Sequence, residues 1–595
     1  MATQLFQRAD AVFDKADMAW LMMCSSLVFL MVVSLCLVYS GLGRPLFAIT
    51  LFKQPIITGA MIGFQWYLWG YTLTFTPGST WFGSLSTSNA LQMSPDSAFS
   101  PTNGSSTQAL PELSFALFQG MFASFTAALV CAGTMQKMHS ARYLLFISIW
   151  STCIYIPIAR WSWYNEGWSH QLGSMDFAGG TPVHIASGAA VAAMALFFFF
   201  EANGFHRAIW HLVGTTKERI GHSVPWVLGM WARRTLFGLD PWRPSAEPGD
   251  ILPDRRPEVY DVNQAVLGTG LLWFGWFGFN GGSALGINNR AVSAVLSTHV
   301  AACSGGVTAV FLHWILKQRT KKKQGSGYNP HQFRKLTAIH FCDGAIAGLV
   351  SITPGSGYVP VSKSAVFGLV SSAVVIFMKP DSSLFLRDDE LKVFLVHTVA
   401  GFIGMFMTGW LASQEVVESD GFSTWTERSI PERLGIQMAD AASGFAYSFL
   451  GTIVILMIGK LLVFAVAVVR NRRDGPWDAW NQANIFKFSQ DGNPAIEDRL
   501  RATDRHEWAR NNAENGIELG AVNSSQNVPV ENTLEPPRTS LSSSRAPQLE
   551  SLHYSQLGSL NHSQLGSHHS QGGSLHHARS QDLPNGWVST SSRYG

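Results

Sequence analysis

The chain has 595 residues, enough for several soluble domains, but only 14% are charged against 47% hydrophobic, with 21 Trp and 39 Phe. That balance excludes an ordinary array of soluble domains, and a net charge of +3 lacks the basic excess of a nucleic-acid binder. The six cysteines (Cys24, Cys36, Cys131, Cys153, Cys303, Cys342) all fall in apolar segments with no zinc or CxxC spacing, so they are expected to be small core residues, with no metal or cofactor.

Residues 1–18 are polar, with Arg8, Lys15 and three aspartates, and the first apolar run is too long for the core of a cleavable signal peptide. Eleven apolar stretches follow, near 19–42, 55–77, 113–133, 143–160, 181–202, 264–286, 291–316, 337–353, 362–379, 393–413 and 438–469. Each approaches the roughly 20 residues a helix needs to cross a bilayer. The chain is therefore expected to be an all-α integral membrane protein with eleven transmembrane helices. Several stretches, such as "GAAVAAMALF" and "GAIAGLVS", carry closely spaced small residues that let helices approach in lipid. The eighth is broken by "TPGSG" at 353–357.

Lys and Arg set the orientation. With the N-terminus outside, the inner segments hold Arg44 and Lys53, Lys137 and Arg142, the basic stretch 203–261, "KQRTKKK" at 317–323, Arg387 and "RNRR" at 470–473. The outer segments 79–112 and 354–361 contain no Lys or Arg. The expected topology is thus N-out, C-in, with residues 1–18 extracellular and 19–470 forming the membrane domain. Asn103, in the outer "NGS", is a possible glycosylation site. Residues 471–514 are expected to be a partly ordered cytoplasmic region. Residues 515–595, rich in Ser, Gln and His and ending in the imperfect repeat "SLHYSQLG", "SLNHSQLG", are expected to be a disordered tail open to cytoplasmic regulators or kinases.

One device occurs twice. Asp176 precedes His184 by eight residues and Asp389 precedes His397 by eight, each pair ending in Val-His at the start of an apolar stretch. These are the fifth and tenth stretches. Two sets of five helices closing in the same way suggest an internal duplication, inverted in the membrane because five is odd, plus a final helix. Inverted repeats place a functional path at their interface. One such histidine alone reads as a satisfied packing residue. Two at matching depth point to a pathway and would face each other.

The residues also resemble a known family. "DFAGGTPVH" (176–184), "FQWYLWGYTLTF" (64–75), "LLWFGWFGFNGGSALG" (271–286), "GLVSITPGSGYV" (348–359) and "MADAASGFAYSF" (438–449) resemble the motifs of the Amt/Mep/Rh ammonium transporters over roughly 19–469. With both histidines present, the chain is most similar to the fungal Mep branch. The resemblance implies a homotrimer in the plasma membrane with one pore per subunit, and no enzyme activity. It implies that Trp163 and Ser283 recruit ammonium, with Asp176 beneath them. It implies that Phe122 and Phe279 form a gate, that His184 and His397 line the pore, and that Asp389 is a structural counterpart of Asp176. Without the resemblance, Trp163 reads as an interfacial aromatic and the two Phe as core packing. The chain departs from the pattern in a longer basic loop at 203–261, and in Lys392, where many relatives carry an acidic residue five before the second histidine.

Ammonium and potassium are alike in size and charge. A selective site must exploit ammonium's N–H donors and its ability to lose a proton. A Trp face offers cation–π attraction of about 2 kcal/mol when desolvated, and the serine oxygen accepts one N–H. Carrying an unpaired cation through hydrocarbon costs on the order of tens of kcal/mol, which neutral ammonia avoids and potassium cannot. Twin imidazoles can both donate and accept, so they can relay the proton. Asp176 suits both an N-cap and an electrostatic role. The expected function is ammonium or methylammonium uptake, electrogenic through proton relay, with ammonium sensing through the tail as a second role. A neutral gas channel of the Rh type, a signalling receptor with little transport and a membrane metalloenzyme are the competing readings.

Overall fold

The computed structural model describes residues 13–85, 92–94, 96–99, 109–133, 138, 140–203, 260–324, 330–378, 389 and 391–470. The chain divides into two units, Met1–Glu507 and Trp508–Gly595, and every described residue lies in the first. Asn103, most of the basic loop and the regions 471–514 and 515–595 fall outside the described residues.

The described part is helical. In chain order the main rods are α1 (Lys15–Leu42), α2 (Ala48–Gln65), α3 (Glu112–Val130), α4 (Ser140–Trp150), α5 (Ala186–Asn203), α6 (Val262–Gly282), α7 (Asn289–Gln324), α8 (Pro330–Ile352), α9 (Val361–Phe377), α10 (Ala400–Leu411) and α11 (Ile430–Arg470). Seven helical segments are long and apolar enough to cross a membrane, and the stretches Leu336–Ile352 of α8 and Val361–Phe377 are shorter apolar helices. Two residues on each side, Ala98–Phe99 and Leu110–Pro111, form a small antiparallel pair between α2 and α3, the one strand element among the described residues. The ends of the rods differ from the apolar stretches. α11 begins at Ile430, because its first turns carry Glu432 and Arg433, which hydropathy cannot see as helix.

Local chemistry sets several ends. Asp14 caps α1 by accepting from the Ala16 and Asp17 amides, and Asp261 caps α6 by accepting from Asn263 and Gln264. α8 stops where "TPGSG" takes over in a run of turns. Four of the rods are extended by wide π-helical turns: Trp66–Gly70 after α2, Ser151–Tyr155 after α4, Gly180–Ile185 before α5 and Phe394–Val399 before α10.

The packing repeats. α1 lies along α6, and the π-helical turn before α10 lies against α5; α1, α2 and α3 pack together as α6, α7 and α8 do. α11 closes the bundle against α5 and α10. Small residues make the closest approaches possible: a Cβ on Gly268 would come within 2.7 Å of the Val38 backbone nitrogen, and one on Gly305 within 2.3 Å of the Gly344 carbonyl oxygen. Four cysteines (Cys24, Cys36, Cys131, Cys342) are buried as expected, but Cys153 is exposed and Cys303 half-exposed, because they lie on outer faces of their helices.

Candidate functional site

The Asp176 turn connects the short helix Trp168–Leu172 to the π-helical turn before α5. The buried Asp176 carboxylate accepts from the Gly179 and Gly180 amides through Oδ1 (2.9 and 2.6 Å) and from the Thr181 amide through Oδ2 (2.8 Å). Gly179 is left-handed at φ +109°, where a Cβ would also strike Val183 at 2.5 Å and the Trp163 ring at 3.1 Å. Only glycine fits there. The other half repeats the construction. Asp389 accepts from the Val393 amide (2.9 Å) and the Phe394 amide (2.8 Å), the same fourth and fifth positions after the aspartate. Lys392 occupies the position equivalent to Gly179 and is left-handed at φ +56°. A non-glycine residue there carries strain. Its ammonium is held 2.6 Å from the carboxylate of Asp343 on α8, so the unusual cation in the sequence has a buried counter-charge.

Both histidines sit inside these π-helical turns, and the bundle brings them face to face. The Nδ1 atoms of His184 and His397 are 3.2 Å apart and the ring centroids 5.3 Å apart, with 0% and 5% of the residues exposed. A Nδ1–Nδ1 contact of that length holds one proton, so one ring donates while the other accepts. From this pair a line of rings runs toward the end of the bundle that bears Trp163. His184 lies 6.1 Å from Phe279, Phe279 is stacked 4.1 Å from Phe122, and Phe122 meets the Trp163 ring edge-on at 5.7 Å. Trp163 donates its indole N–H to the Asp176 backbone carbonyl at 3.2 Å, which ties the half-exposed indole to the capped turn. Ser283, at the C-terminal end of α6, donates to the Phe279 carbonyl at 2.9 Å. Its hydroxyl oxygen keeps accepting capacity.

Several residues of this site escaped the sequence reading. Trp276 stacks on His184 at 5.4 Å and donates to Thr353 at 3.0 Å, so it orients the imidazole. It stands one helical turn before Phe279, and that spacing was the available signal. Gln437 and Asp440 of α11 hold the Asp176 turn. Asp440 is a carboxylate inside an apolar stretch, the kind of residue that marks function in a membrane segment. Arg290 and Arg160 are buried cations whose acceptors are remote in sequence. Arg160 donates to the Ser79, Thr74 and Thr76 carbonyls.

Arg290 gathers three segments around it. It donates to the Gly357 carbonyl at 2.7 Å, pairs with Asp420 at 3.0 Å, donates to Ser423 at 2.8 Å, and its guanidinium lies over Phe177 and Tyr358. Phe177 follows Asp176 directly, so the cluster buttresses the turn from outside. Burial pushes the Asp420 carboxyl up, but hydrogen bonds from Ser423 and Phe422 and the Arg290 charge outweigh it and hold it below its ordinary value. A depressed carboxyl contributes stability that is complete above the unfolded value of about 3.9 and is lost as pH falls through the folded one. Asp420→Asn, which leaves Arg290 without its ion pair, should therefore lower the melting temperature in detergent equally at pH 8 and pH 5. The gap to wild type should close only once the pH has fallen below the ordinary carboxyl value of about 3.9. A gap that widened on acidification would contradict this assignment.

The fold and site define a helical membrane protein with two imidazoles packed against one another in its interior and a file of aromatic rings leading to them. The model of the Ammonium Transporter Family matches residues 19–228 and 254–472, and the chain belongs to that family. It is 34% identical over 452 residues to ammonium transporter 1 of Schizosaccharomyces pombe, covering 75% of this chain and 77% of that one. It is 31% identical over 460 residues to the ammonium transporter MEP2 of Saccharomyces cerevisiae, covering 76% and 79%. Among solved structures, Candida albicans Mep2 aligns with a TM-score of 0.57 at 32% identity, over 76% of this chain and 86% of that one.

Proposed function

We propose that this protein is an ammonium permease of the plasma membrane. In this reading the eleven rods all cross the bilayer, N-terminus outside and C-terminus inside, as two inverted sets of five plus α11, and three copies assemble with one pore each. The matched caps at Asp176 and Asp389 and the repeated packing support the duplication. The observation that carries the functional reading is the 3.2 Å imidazole pair at the inner end of an aromatic file.

Ammonium is drawn to the Trp163 face, where Ser283 accepts one N–H. The stacked rings of Phe122 and Phe279 exclude water and hydrated cations. Beyond them a bare cation would pay most of its hydration energy, so ammonium passes its proton to the acceptor nitrogen of the imidazole pair and continues as ammonia. The carboxylate of Asp176, held by three amides, keeps a negative field under the entrance. His184 and His397 offer one donor and one acceptor to the passing molecule and carry the proton between them. Transport of ammonia with its proton moves one charge per cycle. Asp389 caps the second half and is structural.

The entrance role of Trp163 is tested by methylammonium uptake. Trp163→Ala should raise the concentration for half-maximal uptake about tenfold, the share of a 2 kcal/mol cation–π contact left after partial solvation, with the maximal rate retained. Trp163→Phe, which keeps a ring but loses the indole N–H, should fall between. An Rh-type neutral gas channel predicts no change in half-saturation for either variant, and that result would replace this reading.

A further inference from the structure

One face of α11 grips the Asp176 turn at both ends. Gln437, Asp440 and Gly444 recur at three- and four-residue spacing and so share a side of the helix. Gln437 is fully buried; its amide oxygen accepts from the Met175 N–H at 2.7 Å and the Ser174 hydroxyl at 3.1 Å, and its amide nitrogen donates to the Met175 carbonyl at 2.8 Å. Those contacts fix the chain just before Asp176. Asp440, 2% exposed, accepts from Ser169 at 2.6 Å through Oδ1 and from the Thr181 hydroxyl at 2.7 Å through Oδ2. Gly444 lets the helix approach: a Cβ there would lie 2.3 Å from the Thr181 methyl carbon.

Thr181 is the hinge of the arrangement. Its backbone N–H goes to Asp176, its hydroxyl to Asp440 and its methyl against Gly444. It also stands three residues before His184 in the same π-helical turn. A buried carboxylate is expensive unless it is hydrogen-bonded, and a short hydroxyl contact reaches each oxygen of Asp440. The same contacts give the helix a directional hold on the turn, since a charge-assisted hydrogen bond is stronger and narrower in geometry than a neutral one.

We infer that Asp440 is a positioning residue of the cation entrance: through the Thr181 hydroxyl it fixes the turn that presents Asp176 and begins the segment carrying His184. The inference rests on the transport reading for its consequence, but its structural half does not. Loss of the Asp440–Thr181 bond frees one end of the turn, so Asp176 and Trp163 no longer keep their shared geometry, and recruitment suffers before the maximal rate does.

A double-mutant cycle tests it on full-length protein. Asp440→Ala and Thr181→Val each should raise the apparent KM for methylammonium about tenfold at equal surface abundance. The double variant should be no more than about twofold worse than the worse single one, because both remove the same bond. Thr181→Ser, which keeps the hydroxyl, should recover most of what Thr181→Val loses. Independent multiplication of the two effects, or an unchanged KM in Asp440→Ala, overturns the inference. Hydrogen exchange on the purified proteins decides without transport. The amides of 179–181 should lose about tenfold of their protection in Asp440→Ala or, should that variant not fold, in Thr181→Val. Unchanged protection overturns the inference even if uptake falls. Absent uptake by the wild type, with lost protection in the variant, would fault the transport reading alone.

Discussion

Asp176→Ala should reduce methylammonium uptake to below about 1% of wild type, since three buried amides lose their acceptor at once and each unmet donor costs about 1–3 kcal/mol. The Gly179, Gly180 and Thr181 amides converge on this one carboxylate, and no other acceptor is bonded to any of them from the described residues. The turn must then rearrange, and Trp163, which donates to the Asp176 carbonyl, moves with it. Charge and shape can be separated. Asp176→Asn keeps an oxygen for the Gly179 and Gly180 amides but turns a donor toward the Thr181 amide. It should fall between Ala and wild type, with the remaining loss reporting the missing negative charge. Initial rates in cells, normalised to surface protein, provide the measurement. Retention of more than a tenth of wild-type uptake by Asp176→Ala would overturn the assignment of the cap and charge as requirements for entry.

His184→Ala should lower ammonium-evoked current by about 100-fold, the ordinary scale of a lost proton-transfer group. The substitution deletes one partner of the 3.2 Å contact, leaves His397 with an unpaired Nδ1, and removes the ring on which Trp276 stacks. Voltage clamp is the decisive method because it counts charge. Robust wild-type uptake of labelled substrate without any current would sink the relay and leave ammonia crossing alone. A His184→Ala current equal to wild type would sink the role of the imidazole itself. Parallel measurement at His397→Ala should give a loss of the same order, as each ring supplies half of one shared hydrogen bond.

Much of this site was legible in the residues. The eight-residue spacing from aspartate to histidine, seen twice, was enough to suggest a pair of facing imidazoles, because periodicity and spacing survive in a one-dimensional string. The apolar stretches were legible for the same reason. What the string hid is long-range or conformational. Asp440 reaches Ser169 and Thr181 across more than 250 residues, and Arg290 reaches Asp420 across 130. No local pattern encodes such partners. The left-handed backbone of Lys392 was equally invisible, since lysine gives no hint of positive φ. Only its ion pair with Asp343 and the cap by Asp389 account for it. Cys153 shows the converse error. Hydropathy says that a residue lies in an apolar stretch, but not which way it faces when lipid covers one side and protein the other.

The wide turns that hold the two histidines have an evolutionary corollary. A π-helical turn is a helix with one residue to spare, and removing that residue restores the ordinary winding. Loss of one codon between 180 and 185, or between 394 and 399, would close the wide turn and leave both flanks of the rod as they were, while the residues inside the turn, a histidine among them, would be re-aimed. The greasy exterior of the bundle would barely register the change, while its polar seam would be put out of alignment. The architecture thus keeps a one-step route to a chain of the same outline whose paired imidazoles no longer meet.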